Sequence, residues 1–131
     1  MTKRLRLERG ASAVEFAFIV PLLIVLVLGI AEFGHGFQVQ GTLSAAAREG
    51  VRAMALQNDP ALARTVVKNA AGTLNPAITN AQIVITPTSC PQTGTVSSYV
   101  RVTINYPMPF LTDFFGSGID LTGTGVMRCN G

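Results

Sequence analysis

Charge is scarce in this sequence and unevenly placed. Only 13% of the 131 residues are Asp, Glu, Lys or Arg, tryptophan is absent, and there are one histidine and two cysteines. The formal charge is +3, and Lys3, Arg4, Arg6 and Arg9 against Glu8 account for all of it within the first ten residues. Residues 11–131 carry six basic and six acidic side chains and so no net charge. The bulk of the chain therefore lacks a basic field to neutralise phosphates, and no nucleic acid is expected as a partner. Zinc asks for about four ligands. Cys90 and Cys129 have no CxxC spacing and no histidine near them, so no metal or cofactor is expected. Catalysis needs converging His, Ser, Cys, Asp or Glu side chains. His35 has Glu32 three residues before it and nothing else that converges; it reads as a tolerated interfacial histidine, and no enzymatic activity is expected.

The scarcity is extreme over residues 16–31, FAFIVPLLIVLVLGIA, which contain no charged and no polar side chain. Extending back to Ala11 adds only Ser12 and Glu15 as polar residues. As a helix, 11–31 rises about 31 Å, close to the roughly 30 Å hydrocarbon thickness of a bilayer. A buried core helix is the bland alternative, but a domain this small cannot surround such a helix on all sides. A cleaved signal peptide is the other. The run ends in Gly-Ile-Ala-Glu-Phe-Gly-His, a poor A-x-A site, and Phe33 and Phe37 continue its apolar face. The basic cluster lies immediately before the span, and residues 33–47 carry no Lys or Arg. The N-terminus is expected in the cytoplasm and the C-terminal part across the membrane. Pro21 frees the carbonyl of Ala17, for which a modest kink is expected.

The stretch Arg9-Gly10-Ala11-Ser12-Ala13-Val14-Glu15-Phe16 sets a carboxylate one turn into an apolar helix, behind a basic leader ending in glycine. Glu15 has two readings. It snorkels to the cytoplasmic interface, or it has a cationic partner. A cut after Gly10 frees an α-amine on Ala11, four residues before Glu15. In a packed assembly, the amine of one subunit would pair with Glu15 of its neighbour and set the axial register of the helices.

This stretch looks like the processing site of type IV pilins and pseudopilins. The longer RGASAVEFAFIVPLLIVLVLGIAEFG, followed by LSAAAREGVRAMA, resembles the TadE-like family, minor pseudopilins of the tight-adherence (Flp-type) pilus system. The resemblance covers roughly residues 9–55. It implies cleavage between Gly10 and Ala11 by a membrane prepilin peptidase, with Glu15 and Phe16 completing the site. The implied partners are other pilin and pseudopilin subunits, an inner-membrane assembly platform and the lipid bilayer. The implied location is the bacterial inner membrane as a single-pass protein, with entry into a surface pilus left open. Major Flp-type pilins carry Glu-Tyr where this chain has Glu15-Phe16, and they are very short, so the resemblance is to a minor subunit.

The rest of the chain reads as α+β: residues 1–10 as leader, 11–31 as transmembrane helix, and 32–131 as an extracytoplasmic pilin-like domain. Residues 32–57 continue the helix, with Leu43, Ala46, Ala47, Gly50 and Met54 on one face. Ala45, Ala46, Ala47 and Gly50 would admit another backbone, either of the chain's own sheet or of another helix. Glu49 and Arg52 stand at i and i+3 as a candidate surface pair. Asn58-Asp59-Pro60 starts a second helix, with Asp59 as N-cap, Leu62, Val66, Val67 and Ala70 along it and Gly72 at its C-terminal cap.

A loop over 74–80 precedes a strand at 82–86. A second strand, 97–106, places Val100, Val102, Ile104 and Tyr106 on one face. A third, 121–128, is weakened by Gly123 and Gly125. Between them, Pro107, Pro109 and residues 110–115 form a loop or short helical turn. Its Leu111, Phe114 and Phe115 are expected to cap the core, with an exposed partner-binding patch as the alternative. In an oxidising periplasm Cys90 and Cys129 are expected to pair. The competing function is a permanently membrane-tethered binding module outside any filament, in which Gly10 and Glu15 are incidental.

Overall fold

The computed structural model describes residues 2–91 and 98–129, with side chains described from residue 9 onward. The side chains of the basic cluster up to Glu8, and Ser97 at the expected start of the second strand, lie outside the described residues. Helix α1 spans Thr2–Gln57 and α2 spans Pro60–Ala70; strands β1 (Ile83–Thr86), β2 (Tyr99–Pro109) and β3 (Gly118–Arg128) follow. The sheet is antiparallel in the order β1-β2-β3. This is the expected α+β fold. The chain divides into two compact units, residues 1–35 and 36–131.

The first unit is helix alone. Pro21 lies inside α1. Phe16, Phe18, Leu22, Leu23, Leu26 and Ile30 are all exposed, Phe18 at 78%. A helical stretch that is uncharged over residues 16–31, with its large apolar side chains facing outward, needs a surround other than its own chain. α1 is the one helix among the described residues long and apolar enough to cross a membrane.

The second unit is a helix-on-sheet sandwich. The α1 residues Val39, Leu43, Ala46, Ala47, Val51 and Met54 are buried, spaced three or four apart but for the adjacent alanines. They form one core with Ile83 and Ile85 of β1, Val67 of α2, and the inward row of β2, Val100, Val102, Ile104, Tyr106 and Met108. The period changes from helical to two where the chain passes from α1 to β2, so each element presents one apolar face to the other.

The glycines of β3 bring the layers together. A Cβ on Gly123 would lie 2.6 Å from the carbonyl of Leu43, and one on Gly125 would lie 2.6 Å from the carbonyl oxygen of Ala47. Those neighbours are helix backbone and cannot rotate away. Gly50 of α1 is likewise closed to any side chain by Val67 of α2. Gly123 and Gly125 are thus the condition of helix–sheet contact rather than a weakness of the strand, and β3 runs the full 11 residues. Ala46, Ala47 and Gly50 are used within the chain, on its own sheet and on α2. Gln40 adds a hydrogen bond at the same seam, its Nε2 donating to the carbonyl of Thr122 at 2.8 Å.

Two consecutive residues turn the chain from α1 into α2. Asn58 adopts φ +52°, the left-handed conformation that ends helices. Its N–H donates to the Met54 carbonyl at 2.9 Å, and its Oδ1 accepts from the N–H of Cys90. Asp59 then caps α2 as expected, Oδ1 accepting from the N–H groups of Ala61 (2.9 Å) and Leu62 (3.2 Å). The C-terminal end differs from expectation. The cap is Ala71 at φ −101°, its N–H donating to the Val67 carbonyl, and Gly72 lies in the turn beyond. The buried side of α2 is Ala63 and Val67, with Leu62 and Val66 half-buried and Ala70 exposed. Glu49 and Arg52 are both exposed.

Strand β2 outruns its expected end. It pairs with β3 from Tyr99↔Arg128 to Pro109↔Gly118, whereas β1 stops opposite Ile104. Beyond that point one edge of β2 has no partner strand among the described residues, and there Pro107 and Pro109 cost the ladder little. Cys90 and Cys129 are bonded, with Cα atoms 5.6 Å apart and a sequence separation of 39. Closing a loop of that length stabilises by about 4 kcal/mol in the chain-entropy model. The bridge ties the loop after β1 to the end of β3.

Two measurements test this packing. Gly125→Ala should destabilise the head by about 1–3 kcal/mol through overpacking, read from urea unfolding of the full chain in detergent. Tyr106 is buried, its hydroxyl donates to the Pro76 carbonyl at 2.8 Å, and burial raises its pKa above the ordinary 10.0. The neutral phenol is the form the fold holds. Its contribution is complete below the unfolded value and fades as pH rises through the raised one. Tyr106→Phe should cost about 1 kcal/mol at neutral pH. It should also remove part of the loss of stability seen in the parent above about pH 10.

Candidate processing and assembly segment

The segment from Gly10 to Phe16 lies on α1, and Gly10, Ala11, Glu15 and Phe16 are all exposed. Helical rise sets Ala11 and Glu15 about 6 Å apart along the axis, one turn. A Cβ on Gly10 would meet nothing within 4 Å, in contrast to Gly50, Gly123 and Gly125. Glycine in a helix interior costs about 1 kcal/mol against alanine, and among the described residues no packing repays it at position 10. Glu15 has Val14 and Phe16 as exposed neighbours. A carboxylate on such a helix is costly in hydrocarbon unless it is neutralised or paired.

The other singled-out residues do not join it. His35 is half-buried at the end of the first unit, and Glu32 is buried, with 6% exposure. Among the described residues no group of three His, Cys, Asp or Glu side chains comes together. Cys90 and Cys129 serve the disulfide of the second unit.

The loop after β2 departs from expectation. Leu111, Phe114 and Phe115 do not cap the core; they are exposed at 59%, 64% and 43%, and only Phe110 packs against the core. The rings of Phe114 and Phe115 meet edge to face, centroids 5.3 Å apart. The loop is closed by the Phe110 N–H donating to the Ser117 carbonyl at 3.3 Å and by Gly116 at φ +114°.

Residues 10–52 match the family model of the TadE-like proteins. The match spans the glycine, the glutamate, the apolar run and the Ala-Ala-Arg-Glu-Gly turn from which the resemblance was read. It points to an association with the tight-adherence pilus system, and with a membrane-capable N-terminal helix it agrees with membrane anchoring. No curated protein and no solved structure matches the chain.

Since Gly10 and Glu15 are exposed and no packing among the described residues uses Gly10, Gly10→Ala and Glu15→Gln should leave the stability of the disulfide-bonded head within about 0.5 kcal/mol of the parent. Thermal unfolding in detergent, followed by near-ultraviolet circular dichroism, checks this.

Proposed function

We propose, taking residues 10–52 as TadE-like, that this chain is a minor pseudopilin of a tight-adherence pilus, matured by prepilin peptidase and held in the inner membrane until assembly. The peptidase hydrolyses the Gly10–Ala11 amide. Water supplies the hydroxyl of the new Gly10 carboxylate and a proton to the new Ala11 amine. An α-amine has a pKa near 7.7–8.0 and is largely cationic at neutral pH. In the filament it pairs with Glu15 of a neighbouring subunit, which removes the cost of the carboxylate and sets the axial register. An assembly platform extracts α1 from the bilayer, and helix–helix contacts replace lipid around its apolar surface. The chain is the substrate of the peptidase and performs no catalysis of its own.

One observation carries this reading. At the start of a membrane-capable helix stand a glycine and a carboxylate that no packing among the described residues explains, five residues apart, so that cleavage after the glycine leaves the new amine of Ala11 one turn from Glu15. The disulfide supports placing the head on the oxidising side of the membrane.

Intact mass and N-terminal sequencing of the protein from native membranes, with and without the peptidase, provide the test. The expected result is a chain beginning at Ala11 only where the peptidase is present, and loss of that species in Gly10→Val. A chain retaining its leader in both strains would leave Glu15 without its amine, and the permanently tethered binding module would take its place.

A further inference from the structure

The second unit, taken by itself, is electrically lopsided along its strands. Its basic residues are Arg48, Arg52, Arg64, Lys68, Arg101 and Arg128, and its acidic ones are Glu49, Asp59, Asp113 and Asp120. Arg48 and Arg52 flank Gly50 of α1, which packs on Val67 of α2 and Val102 of β2. Arg64 and Lys68 adjoin the buried Ala63 and Val67 of α2. Arg101 and Arg128 stand where β2 begins and β3 ends, beside the disulfide. The disulfide half of the head thus holds six cations against two anions. From residue 102 to 127 there is no Lys or Arg, and the only charges are Asp113 and Asp120, at the far tip of the β2–β3 hairpin. Asp120 and Arg128 are eight residues apart on β3, about 27 Å at strand rise. That exceeds the Debye length of about 8 Å at physiological ionic strength, so each end presents its own sign to a partner.

Both ends carry exposed apolar side chains beside their charges. At the tip, Asp113 is exposed next to Phe114 and Phe115, and Asp120 next to Ile119. The hairpin is paired to its last residues, Pro109↔Gly118, and anchored by the buried Tyr106 and Met108, so the tip is held on a fixed support. At the disulfide end, the sheet face that alternates with the buried β2 row has the complementary make-up. Tyr99 lies opposite Arg128, and Arg101 lies between Val126 of β3 and Thr86 of β1. Tyr99, Arg101, Val126 and Arg128 are all exposed. Aromatic rings and arginine are the side chains that protein contacts favour, and opposite potentials decide which patch meets which. Two tips together would set acid against acid, and two disulfide ends would set base against base. A tip on a disulfide end sets each charge against its opposite.

We propose that the hairpin tip of one copy docks on the Tyr99–Arg101–Val126–Arg128 face of a second copy of this chain. Asp113 and Asp120 of the first copy face Arg101 and Arg128 of the second, and Phe114 and Phe115 cover Tyr99 and Val126. The charges set the orientation and the rings supply the buried area. The contact is heterologous: a copy that gives its tip keeps its own basic end open, so docking repeats with every head pointing the same way. This goes beyond the maturation proposed above. It uses the head alone and holds whether or not the Gly10–Ala11 bond is cut.

Charge reversal at each end, with mixing, tests the docking. The full chain in nonionic detergent is followed by sedimentation velocity over a range of concentration. The parent should associate as concentration rises, and about 0.5 M salt should weaken the association. One variant reverses the tip, Asp113→Lys with Asp120→Lys; the other reverses the basic end, Arg101→Glu with Arg128→Glu. Each alone sets like charges together and should associate at least about tenfold more weakly than the parent. An equimolar mixture should recover the association, because each variant then finds an opposite charge on the other. If the doubly reversed end loses the near-ultraviolet circular dichroism of the folded head, Arg101→Glu alone replaces it, and the mixture must again associate more tightly than either variant alone. Association that neither reversal weakens belongs to the apolar helix and overturns the docking. So does a loss in both variants that mixing leaves in place. A parent that stays a single chain at every concentration overturns it as well.

Discussion

The head depends on the close approach of one helix to one sheet. Leu43 and Ala47 of α1 lie against the bare backbone of Gly123 and Gly125, and the rest of the second unit follows from that spacing. With the layers this near, small residues suffice on the helix, and the β2 row from Val100 to Met108 reaches full burial against them. Gly50 gives the same close approach to Val67, so α2 folds down beside α1. The disulfide and the Asn58 cap then fasten the periphery, Asn58 stopping α1 while holding the N–H of Cys90. A small domain with few apolar layers gains much from such cross-ties.

The division of polarity along α1 is the second constraint. From Val39 to Ala55 its apolar face is covered by its own chain, whereas from residue 16 to 30 most of its large side chains are exposed. One helix thus does two jobs: a folding element of the head and a surface made for lipid or for other helices. The proposed maturation acts at the far end of the second part, where cleavage would convert a backbone amide into a cation one turn from Glu15. Removing the leader would also remove four basic side chains against one acidic one, and with them the charge asymmetry from which a cytoplasmic N-terminus is expected.

Much of this was legible in sequence where a residue's role depends on its near neighbours. Asp59-Pro60 announced the start of α2, and the alternation of Val100, Val102, Ile104 and Tyr106 announced β2. The pairing of Cys90 with Cys129 was expected from compartment and count. Errors came where a residue answers to something distant in the chain. Gly123 and Gly125 read as strand-weakening because the helix backbone above them cannot be seen from β3 alone. Pro107 and Pro109 read as the end of a strand because the register of β1, whose first residue Ile83 lies opposite Ile104 and so leaves the rest of that edge of β2 without a strand among the described residues, is a fact of pairing. Gly72 read as a cap because glycine usually is one, yet the helix ends one residue earlier on Ala71.

By itself the sequence determined the membrane-capable helix, its charge asymmetry, the Gly10–Phe16 segment and the TadE-like character of the N-terminal third. These rest on composition and spacing along one helix, where neighbours in sequence are neighbours in space. Only the tertiary structure decided the fate of the small residues and of the aromatic loop. Ala46, Ala47 and Gly50 are used within the head because β3 and α2 come down on them. Phe114 and Phe115 face outward because the hairpin carries them past the end of the core, where no second layer is left to cover them.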